Sequence, residues 1–209
     1  MKDNINWKYP ESIVTCEWLD KNKDNKNIRI YDCTTYLHYT DNDPTKPYNV
    51  ESGLKDYKTN HIPNSAFLDL QTDISDTDSP YRFTLPKLEI LSQKLKNIGV
   101  GDPHHIVLYS RNGMQWSARV WWMLHVVGYD NVSILNGGLI EWKRLGLREE
   151  NKTNLFSAAD FKFLPRYNFF VGKDRVLEAI EDKKTILLNS LTEDIHIGEN
   201  PRYGRKGRI

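Results

Sequence analysis

The chain has 209 residues, of which 39% are hydrophobic and 27% charged, and its 29 basic residues nearly balance 28 acidic ones. That much apolar material can fill a packed core, which excludes a disordered chain or an isolated coiled coil. A net charge of +1 gives no general field that favours nucleic acid or an anionic membrane. The N-terminus lacks the apolar stretch of a secretory signal, and no segment has the length of a membrane span. We therefore expect a soluble cytoplasmic protein with no nucleic-acid or membrane partner.

Cysteine usage supports the same compartment. The chain has two cysteines, Cys16 and Cys33, and their number and separation match neither a disulfide framework nor a metal motif. Cys33 directly follows an apolar segment, and Cys16 opens a helix-like segment. Because cysteine is often a small buried hydrophobic residue, we interpret both as structural rather than as reactive thiols.

Taken in chain order, the residue pattern predicts alternating helices and strands. Thr15 can cap a short helix over residues 16–21 through its hydroxyl. Short apolar runs predict buried strands, and apolar residues at helical spacing before Gly99 and Gly128 predict helices that end at these glycines. The strands are expected at residues 28–31, 65–68, 106–109 and 132–135, and further helices at 88–98, 117–127 and 139–145.

This alternation predicts an α/β domain with a mostly parallel sheet flanked by helices, over residues 1–147. Residues 148–171 do not continue the alternation of strands and helices, and we interpret them as a linker that packs over the domain surface. Residues 172–209 repeat the opening pattern, with a helix near Val176 and a strand at 185–188. We therefore expect the start of a second copy of the domain, which the chain truncates.

Five sequence blocks, in this order, resemble the tandem-domain sulfurtransferase family that contains rhodanese and 3-mercaptopyruvate sulfurtransferase. The blocks are Ile30-Tyr-Asp-Cys-Thr-Thr-Tyr-Leu37, His61-Ile-Pro-Asn-Ser-Ala-Phe67, Ser79-Pro80, Ser117-Ala-Arg-Val-Trp-Trp-Met-Leu124 and Val132-Ser-Ile-Leu-Asn-Gly-Gly-Leu-Ile-Glu-Trp142. The resemblance implies a rhodanese-like domain followed by the beginning of a second one.

The resemblance also implies a reaction. A cysteine thiolate takes a sulfane sulfur from thiosulfate or 3-mercaptopyruvate, forms a persulfide, and passes the sulfur to cyanide or a thiol, without a metal or an organic cofactor. The sulfur is held in a loop between a strand end and a helix N-terminus, where backbone N–H groups favour an anion. Here that loop is Ser110-Arg-Asn-Gly-Met-Gln-Trp116, and Ser110 occupies the nucleophile position. Serine cannot hold a persulfide, so we expect a catalytically silent first domain, a catalytic cysteine in the missing part of the second domain, and no activity from these residues alone.

Three residues are candidate substrate contacts on the basis of the resemblance. His61 lies in a segment whose histidine is thought to assist substrate activation in 3-mercaptopyruvate sulfurtransferases; the alternative is a structural histidine. Arg202 and Arg208 are candidate contacts to an anionic donor, because a guanidinium binds carboxylates through a planar fork. The alternative is a solvated basic run at the C-terminus. We also expect Arg119 to form a partly buried ion pair with Asp32.

Other classes of function stay open. A non-catalytic rhodanese-like module that binds a partner or acts as a sensor is the first alternative, and a short protein with a structural role is the second. The sequence leaves open whether the small-molecule donor is thiosulfate or 3-mercaptopyruvate, which acceptor is used, and the oligomeric state.

Overall fold

The computed structural model describes residues 8–40 and 48–200, so the candidates Arg202 and Arg208 lie outside the described residues. The chain divides into two units, Met1–Tyr36 with Ser52–Arg166, and Leu37–Glu51 with Tyr167–Ile209. After a 3₁₀ turn at Pro10–Ser12, the elements are β1 (Ile13–Val14), α1 (Cys16–Asn22), β2 (Ile28–Asp32), β3 (Thr35–Tyr39), β4 (Tyr48–Ser52), α2 (Leu54–Thr59), β5 (Ser65–Phe67), α3 (Leu88–Asn97), β6 (His105–Tyr109), α4 (Gln115–Val126), β7 (Val132–Leu135), α5 (Gly138–Arg144), α6 (Lys173–Glu181) and α7 (Glu193–Ile197).

A five-stranded sheet with the order β1-β7-β6-β2-β5 forms the centre of the first unit. Every neighbouring pair of strands in it runs parallel. β6 is the middle strand and is almost wholly buried, which explains why its sequence is a continuous apolar run. Asp32 at the end of β2 lies opposite Tyr109 at the end of β6, so the chain leaves both strands at the same carboxyl edge.

Helices pack against this sheet as the sequence predicted. The Thr15 hydroxyl accepts a hydrogen bond from the Trp18 amide at 3.2 Å and caps α1. α1 and α5 share one core cluster with the strands, in which Leu19 and Trp142 are fully buried. The indole N–H of Trp142 donates to the Arg148 carbonyl at 2.9 Å, so this buried polar atom is satisfied.

The α/β fold with its parallel sheet and flanking helices is therefore confirmed. The predicted strands and helices of the first unit are present, with ends that differ by one or two residues. The sequence did not predict β1 and α2. It also did not predict β3 and β4, which form a separate two-stranded sheet. None of the described helices combines the length and the apolar character that a bilayer span requires.

Residues 148–166, here called the strap, run along the first unit and cover the edge of β5. Asn154 of the strap forms a parallel bridge with Ala66 of β5, and Glu150 forms an antiparallel bridge with His61. An uncovered edge strand would present unpaired N–H and C=O groups to other chains. The strap thus shields the β5 edge of the sheet from pairing with another chain.

An exposed ion pair ties the end of the strap to the turn after α4. Arg166 contacts both carboxylate oxygens of Asp130 at 2.6 Å, and His125 also contacts Asp130. The hydrogen bonds from Arg166 lower the pKa of Asp130 to about 2. The stability that this pair contributes is therefore fully present above the unfolded pKa of about 4, and it is lost as pH falls through about 2.

Replacing Asp130 with asparagine is expected to lower the free energy of unfolding at pH 7 by less than about 1 kcal/mol, because solvent screens so exposed a pair. Urea unfolding at pH 7, 4 and 2 measures the effect. The deficit relative to the wild type should shrink as the pH falls and vanish near pH 2. A deficit that persists at pH 2 would mean that the side chain stabilises the fold by packing rather than by charge.

The second unit includes α6 and α7. The strand predicted at residues 185–188 is wrong, since this segment has no regular secondary structure. Ile186 and Leu188 are 82% and 88% exposed. A parallel strand needs a neighbour that takes up its backbone N–H and C=O groups, and within the described ranges no strand pairs with this segment. The division into domains at residues 147 and 171, and the second copy, stay predictions.

Candidate functional site

The loop between β6 and α4 lies at the carboxyl edge of the parallel sheet, where open α/β folds place their ligands. It begins at Ser110, which is 3% exposed. The Ser110 hydroxyl oxygen accepts a hydrogen bond from the Ser117 amide at 3.1 Å. Met114, at the N-cap position of α4, makes no side-chain cap. Ser110 therefore satisfies one of the free amides of the first turn of α4, as a capping side chain does.

A cleft of about 420 Å³ opens beside this loop. It lies between the start of α4 and the start of α5, and its lining is mostly apolar or small. The lining residues are Ser110, Gly113, Met114, Ser117, Leu135, Asn136, Gly137, Gly138, Ile140 and Glu141. Met114 and Ile140 are 53% and 63% exposed at its rim.

Arg111 anchors the loop to the neighbouring strand ends and turns away from the cleft. Its Nε donates to Asp32 at 3.0 Å, its Nη1 donates to the Asn60 side chain at 3.0 Å, and its Nη2 donates to the Asn60 carbonyl. The Arg111 amide donates to the Thr34 hydroxyl at 3.0 Å. All of these partners lie in the first unit, so the loop is fixed from several sides.

The expected ion pair between Arg119 and Asp32 is wrong. Arg119 donates to the Phe83 carbonyl instead. The sheet register explains the difference: Asp32 lies opposite Tyr109, so the loop residue two positions after Tyr109 reaches the carboxylate. Arg119 lies in α4, beyond the loop that holds this partner.

The charges at the site do not suit an anion in the cleft. Glu141 is the one charged residue among the described residues that line it, and Arg144 holds its carboxylate through two contacts of 2.6 Å. Burial raises the pKa of Asp32 above its usual value, and the Arg111 guanidinium and the hydrogen bonds from Thr34 offset only part of this shift. The Arg111 guanidinium, which could attract an anion, is therefore already paired with Asp32. The Ser110 hydroxyl has neither a base nor a carboxylate as a hydrogen-bond partner in the described part of the chain.

Both cysteines are free, buried and unreactive in character. Burial raises the pKa of Cys16 to about 12, and the Glu141 and Glu17 carboxylates contribute to the shift. Burial, with the Asp32 charge, raises the pKa of Cys33 well above its usual range. A thiolate is the form that attacks a sulfur donor. The structure thus agrees with the interpretation of both cysteines as structural.

His61 lies under the strap and is not among the residues that line the cleft. Its side chain is fully buried, with Nδ1 2.6 Å from the Tyr57 carbonyl oxygen and Nε2 3.1 Å from the Lys152 carbonyl oxygen. Both ring nitrogens are occupied by backbone acceptors. The ring therefore links the end of α2 to the strap.

Sequence reasoning missed two residues that shape the site. Arg111 was not recognised as the partner of Asp32, although it directly follows Ser110 in a loop expected at the same sheet edge. Gly138 was not recognised as the point where α5 approaches the loop: its φ is +54°, and the Leu139 amide donates to the Ser110 carbonyl at 3.2 Å. The pair of glycines in Asn136-Gly-Gly138 was the available signal for a close approach.

Fold and site together define an open parallel α/β domain whose candidate site is a strand–loop–helix junction at the carboxyl edge. The chain belongs to the rhodanese-like domain family, whose model matches residues 15–145. It is 27% identical over 196 residues to the thiosulfate sulfurtransferase of Rattus norvegicus, covering 91% of this chain and 62% of that protein. It is 30% identical over 194 residues to thiosulfate/3-mercaptopyruvate sulfurtransferase 2 of Arabidopsis thaliana, covering 83% of this chain and 54% of that protein.

One solved structure is similar to this chain in both fold and sequence. The crystal structure of the 3-mercaptopyruvate sulfotransferase SseA from Escherichia coli matches with a TM-score of 0.66 and 27% identity. The match covers 81% of this chain and 62% of that chain. This chain therefore spans about three fifths of the length of the relatives that it resembles.

Proposed function

We propose that this chain is part of a sulfurtransferase that moves a sulfane sulfur from thiosulfate or 3-mercaptopyruvate to cyanide or a thiol acceptor. Membership of the rhodanese-like family, with relatives named for these two donors, supports the proposal. The reaction passes through a cysteine persulfide: the thiolate attacks the sulfane sulfur of the donor, the S–S bond of thiosulfate or the C–S bond of 3-mercaptopyruvate breaks, and sulfite or pyruvate (released as its enolate and then protonated) leaves. The acceptor then takes the transferred sulfur atom and releases the thiolate.

The first unit serves as scaffold and does not carry the sulfur. The observation behind this is the Ser110 hydroxyl, which stands at the strand–loop–helix junction and is engaged by the Ser117 amide. The sulfur-carrying cysteine then belongs to a second rhodanese-like domain. Arg202 and Arg208 are proposed there as contacts to the anionic donor, and His61 belongs to the scaffold. A cytoplasmic location completes the proposal, and two free cysteines are consistent with a reducing compartment.

The first test is persulfide formation on the native chain. After incubation with thiosulfate or 3-mercaptopyruvate, intact-mass spectrometry should show no added sulfur on Cys16 or Cys33, because both thiols are buried and protonated. Both should react with an alkylating reagent once urea unfolds the chain. Sulfur on either cysteine of the native chain would contradict a silent first unit.

The matched variant is Ser110→Cys, which places a thiol at the cleft and at the N-terminus of α4. A helix N-terminus lowers a thiol pKa, so this cysteine is expected to be alkylated faster than Cys16 and Cys33 in the native protein.

A longer protein that contains the second domain should show turnover with at least one of the two donors, and Arg202→Ala should raise KM for that donor. Turnover that does not change with Arg202→Ala would remove this arginine from the donor site.

A non-catalytic binding module is the second candidate, and one observation favours it. The cleft beside Ser110 stays open, with the exposed apolar side chains of Met114 and Ile140 at its rim. Such a rim suits an apolar group of a partner better than a dianionic donor. The longer protein distinguishes the sulfurtransferase from the binding module. A serine at the nucleophile position of the second domain, together with no turnover of either donor, would favour the binding module.

A further inference from the structure

A second cleft, of about 550 Å³, lies in the first unit away from the Ser110 loop. It is formed by the 3₁₀ turn, β1, α1, the first residue of β6 and the entry to β7. Among the described residues, the two clefts share no lining residue. Its volume falls in the range of small-molecule sites. The lining residues are Pro10, Glu11, Ile13, Val14, Thr15, Trp18, His105, Asp130, Asn131 and Val132.

His105 lines this cleft, and its contact with Ser133 determines which ring nitrogen carries the proton. The Ser133 hydroxyl oxygen is 2.6 Å from the Glu11 carbonyl oxygen and 2.8 Å from His105 Nε2. A carbonyl oxygen only accepts hydrogen bonds, so the single hydroxyl proton of Ser133 is donated to Glu11. Nε2 must then donate its own proton to the Ser133 oxygen. The hydrogen-bond network therefore assigns the tautomer of His105 that is protonated on Nε2.

The other ring nitrogen of His105, Nδ1, is left as a hydrogen-bond acceptor. Burial lowers the pKa of His105 below its usual value, so the ring is neutral at pH 7 and Nδ1 keeps its lone pair. Within residues 8–40 and 48–200, no group donates to Nδ1. His105 is half-buried, and Nδ1 is accessible rather than enclosed. A molecule in the cleft thus meets an acceptor whose orientation the Ser133 contact fixes.

The rest of the lining is suited to an uncharged ring. β1 contributes two aliphatic side chains, and α1 contributes Trp18. The Trp18 ring lies 5.6 Å from the His105 ring, centroid to centroid, at an angle of 56°, so aromatic surface adjoins the acceptor. Glu11 and Asp130 are acidic, and the described lining contains no Lys or Arg, which disfavours an anion. A flat apolar molecule with one N–H or O–H group matches these features.

We propose that this cleft binds a neutral aromatic molecule that donates an N–H or O–H hydrogen bond to His105 Nδ1. The cleft lies at the amino end of β6, whereas Ser110 follows its carboxyl end, so this site is separate from the loop linked to sulfur transfer and does not depend on that reaction. A bound ring contacts β1, α1 and the entry to β7 together. It therefore holds the two-residue strand β1 against β7, and binding stabilises the first unit.

Titration of the ¹⁵N-labelled chain with indole at pH 7.5, followed by NMR, tests the place of the site and the need for a donor. Indole should bind saturably and shift the amide signals of Val14, Trp18 and Val132, but not those of Gly113 and Gly137 in the other cleft. 1-Methylindole keeps the ring and lacks the N–H group. It should bind about tenfold more weakly, the effect of leaving the acceptor without a partner. Equal affinities, no saturable binding, or shifts confined to the other cleft would overturn the proposal.

The variants His105→Gln and His104→Gln form a matched pair. Glutamine at position 105 can still donate an amide N–H to Ser133, but it lacks the Nδ1 acceptor. Its affinity for indole should fall about tenfold, and its affinity for 1-methylindole should stay the same, which shows that the cleft is intact. His104 is not among the lining residues, and its Nδ1 is 2.9 Å from the Gly101 carbonyl oxygen. His104→Gln should therefore bind both ligands as the wild type does.

An indole affinity that is unchanged in His105→Gln would contradict the proposal, and so would an equal loss in His104→Gln. The comparison of the two ligands on the wild type decides the question even if a variant does not fold.

Discussion

Replacing Arg111 with alanine is expected to lower the free energy of unfolding by about 3–5 kcal/mol, the cost of leaving one partner of a buried ion pair without the other. Asp32 has no solvent exposure and receives Arg111 Nε at 3.0 Å. Without the guanidinium, only the hydrogen bonds from Thr34 oppose the effect of burial, and the pKa of Asp32 rises further. The carboxyl then prefers its proton, so the loss of stability should be larger at pH 7 than at pH 4. Urea unfolding at both pH values measures it.

Arg119→Ala is the matched control for this experiment. Arg119 donates to the Phe83 carbonyl and, among the described residues, contacts no carboxylate. Its removal should lower the free energy of unfolding by about 1.5–3 kcal/mol, the range for one hydrogen bond that involves a charged group, with little pH dependence. An equal loss from both variants, or a larger loss from Arg119→Ala, would mean that Arg111 is not the main countercharge of Asp32.

Gly138→Ala is expected to have the second large effect, because Gly138 stands where α5 meets the candidate site. Its φ of +54° lies in the left-handed region, which costs a residue with a Cβ about 1–2 kcal/mol. A Cβ at this position would also overlap the Ser110 carbonyl oxygen. Moving a packed backbone to relieve such an overlap costs about 1–3 kcal/mol more. The total expected loss is about 2–5 kcal/mol in urea or thermal unfolding.

The Gly146→Ala variant distinguishes the cost of the left-handed backbone from the cost of the overlap with Ser110. Gly146 also has a left-handed φ, of +66°, but a Cβ there meets no atom within 4 Å. Gly146→Ala should therefore lower the free energy of unfolding only by the cost of the left-handed backbone, about 1–2 kcal/mol. If the two alanine variants lost the same stability, the close approach of α5 to Ser110 would contribute nothing measurable.

The sequence was sufficient to predict four strands and four helices of the first unit because their signals are local, although β1 and α2 were missed. Apolar runs such as that of β6 and the capping threonine before α1 depend on neighbours only a few residues away. The place of Ser110 followed for the same reason, since a strand, a polar loop and a helix stand next to each other in the chain. The family resemblance then assigned a role to that loop.

The parts that sequence reasoning missed depend on contacts between distant residues. The partner of Asp32 is set by the register between β2 and β6, and without that register Arg119 was as plausible as Arg111. The strand expected at residues 185–188 has the right residues, but a strand also requires a neighbour at the correct distance. The contacts of His61 with the strap join residues about ninety positions apart, which no local pattern reveals.

The position of β1 also bears on how the chain is made. Ile13 and Val14 pair with Ile134 and Leu135, so the first strand of the chain is also the last to find its place in the sheet. During synthesis, β1 leaves the ribosome well before β7 and cannot pair until β7 has also emerged. Pairing across so long a stretch of chain is entropically slow. The apolar face of α1 shares its core cluster with β7 and α5, so it cannot be fully buried until these later elements have been made.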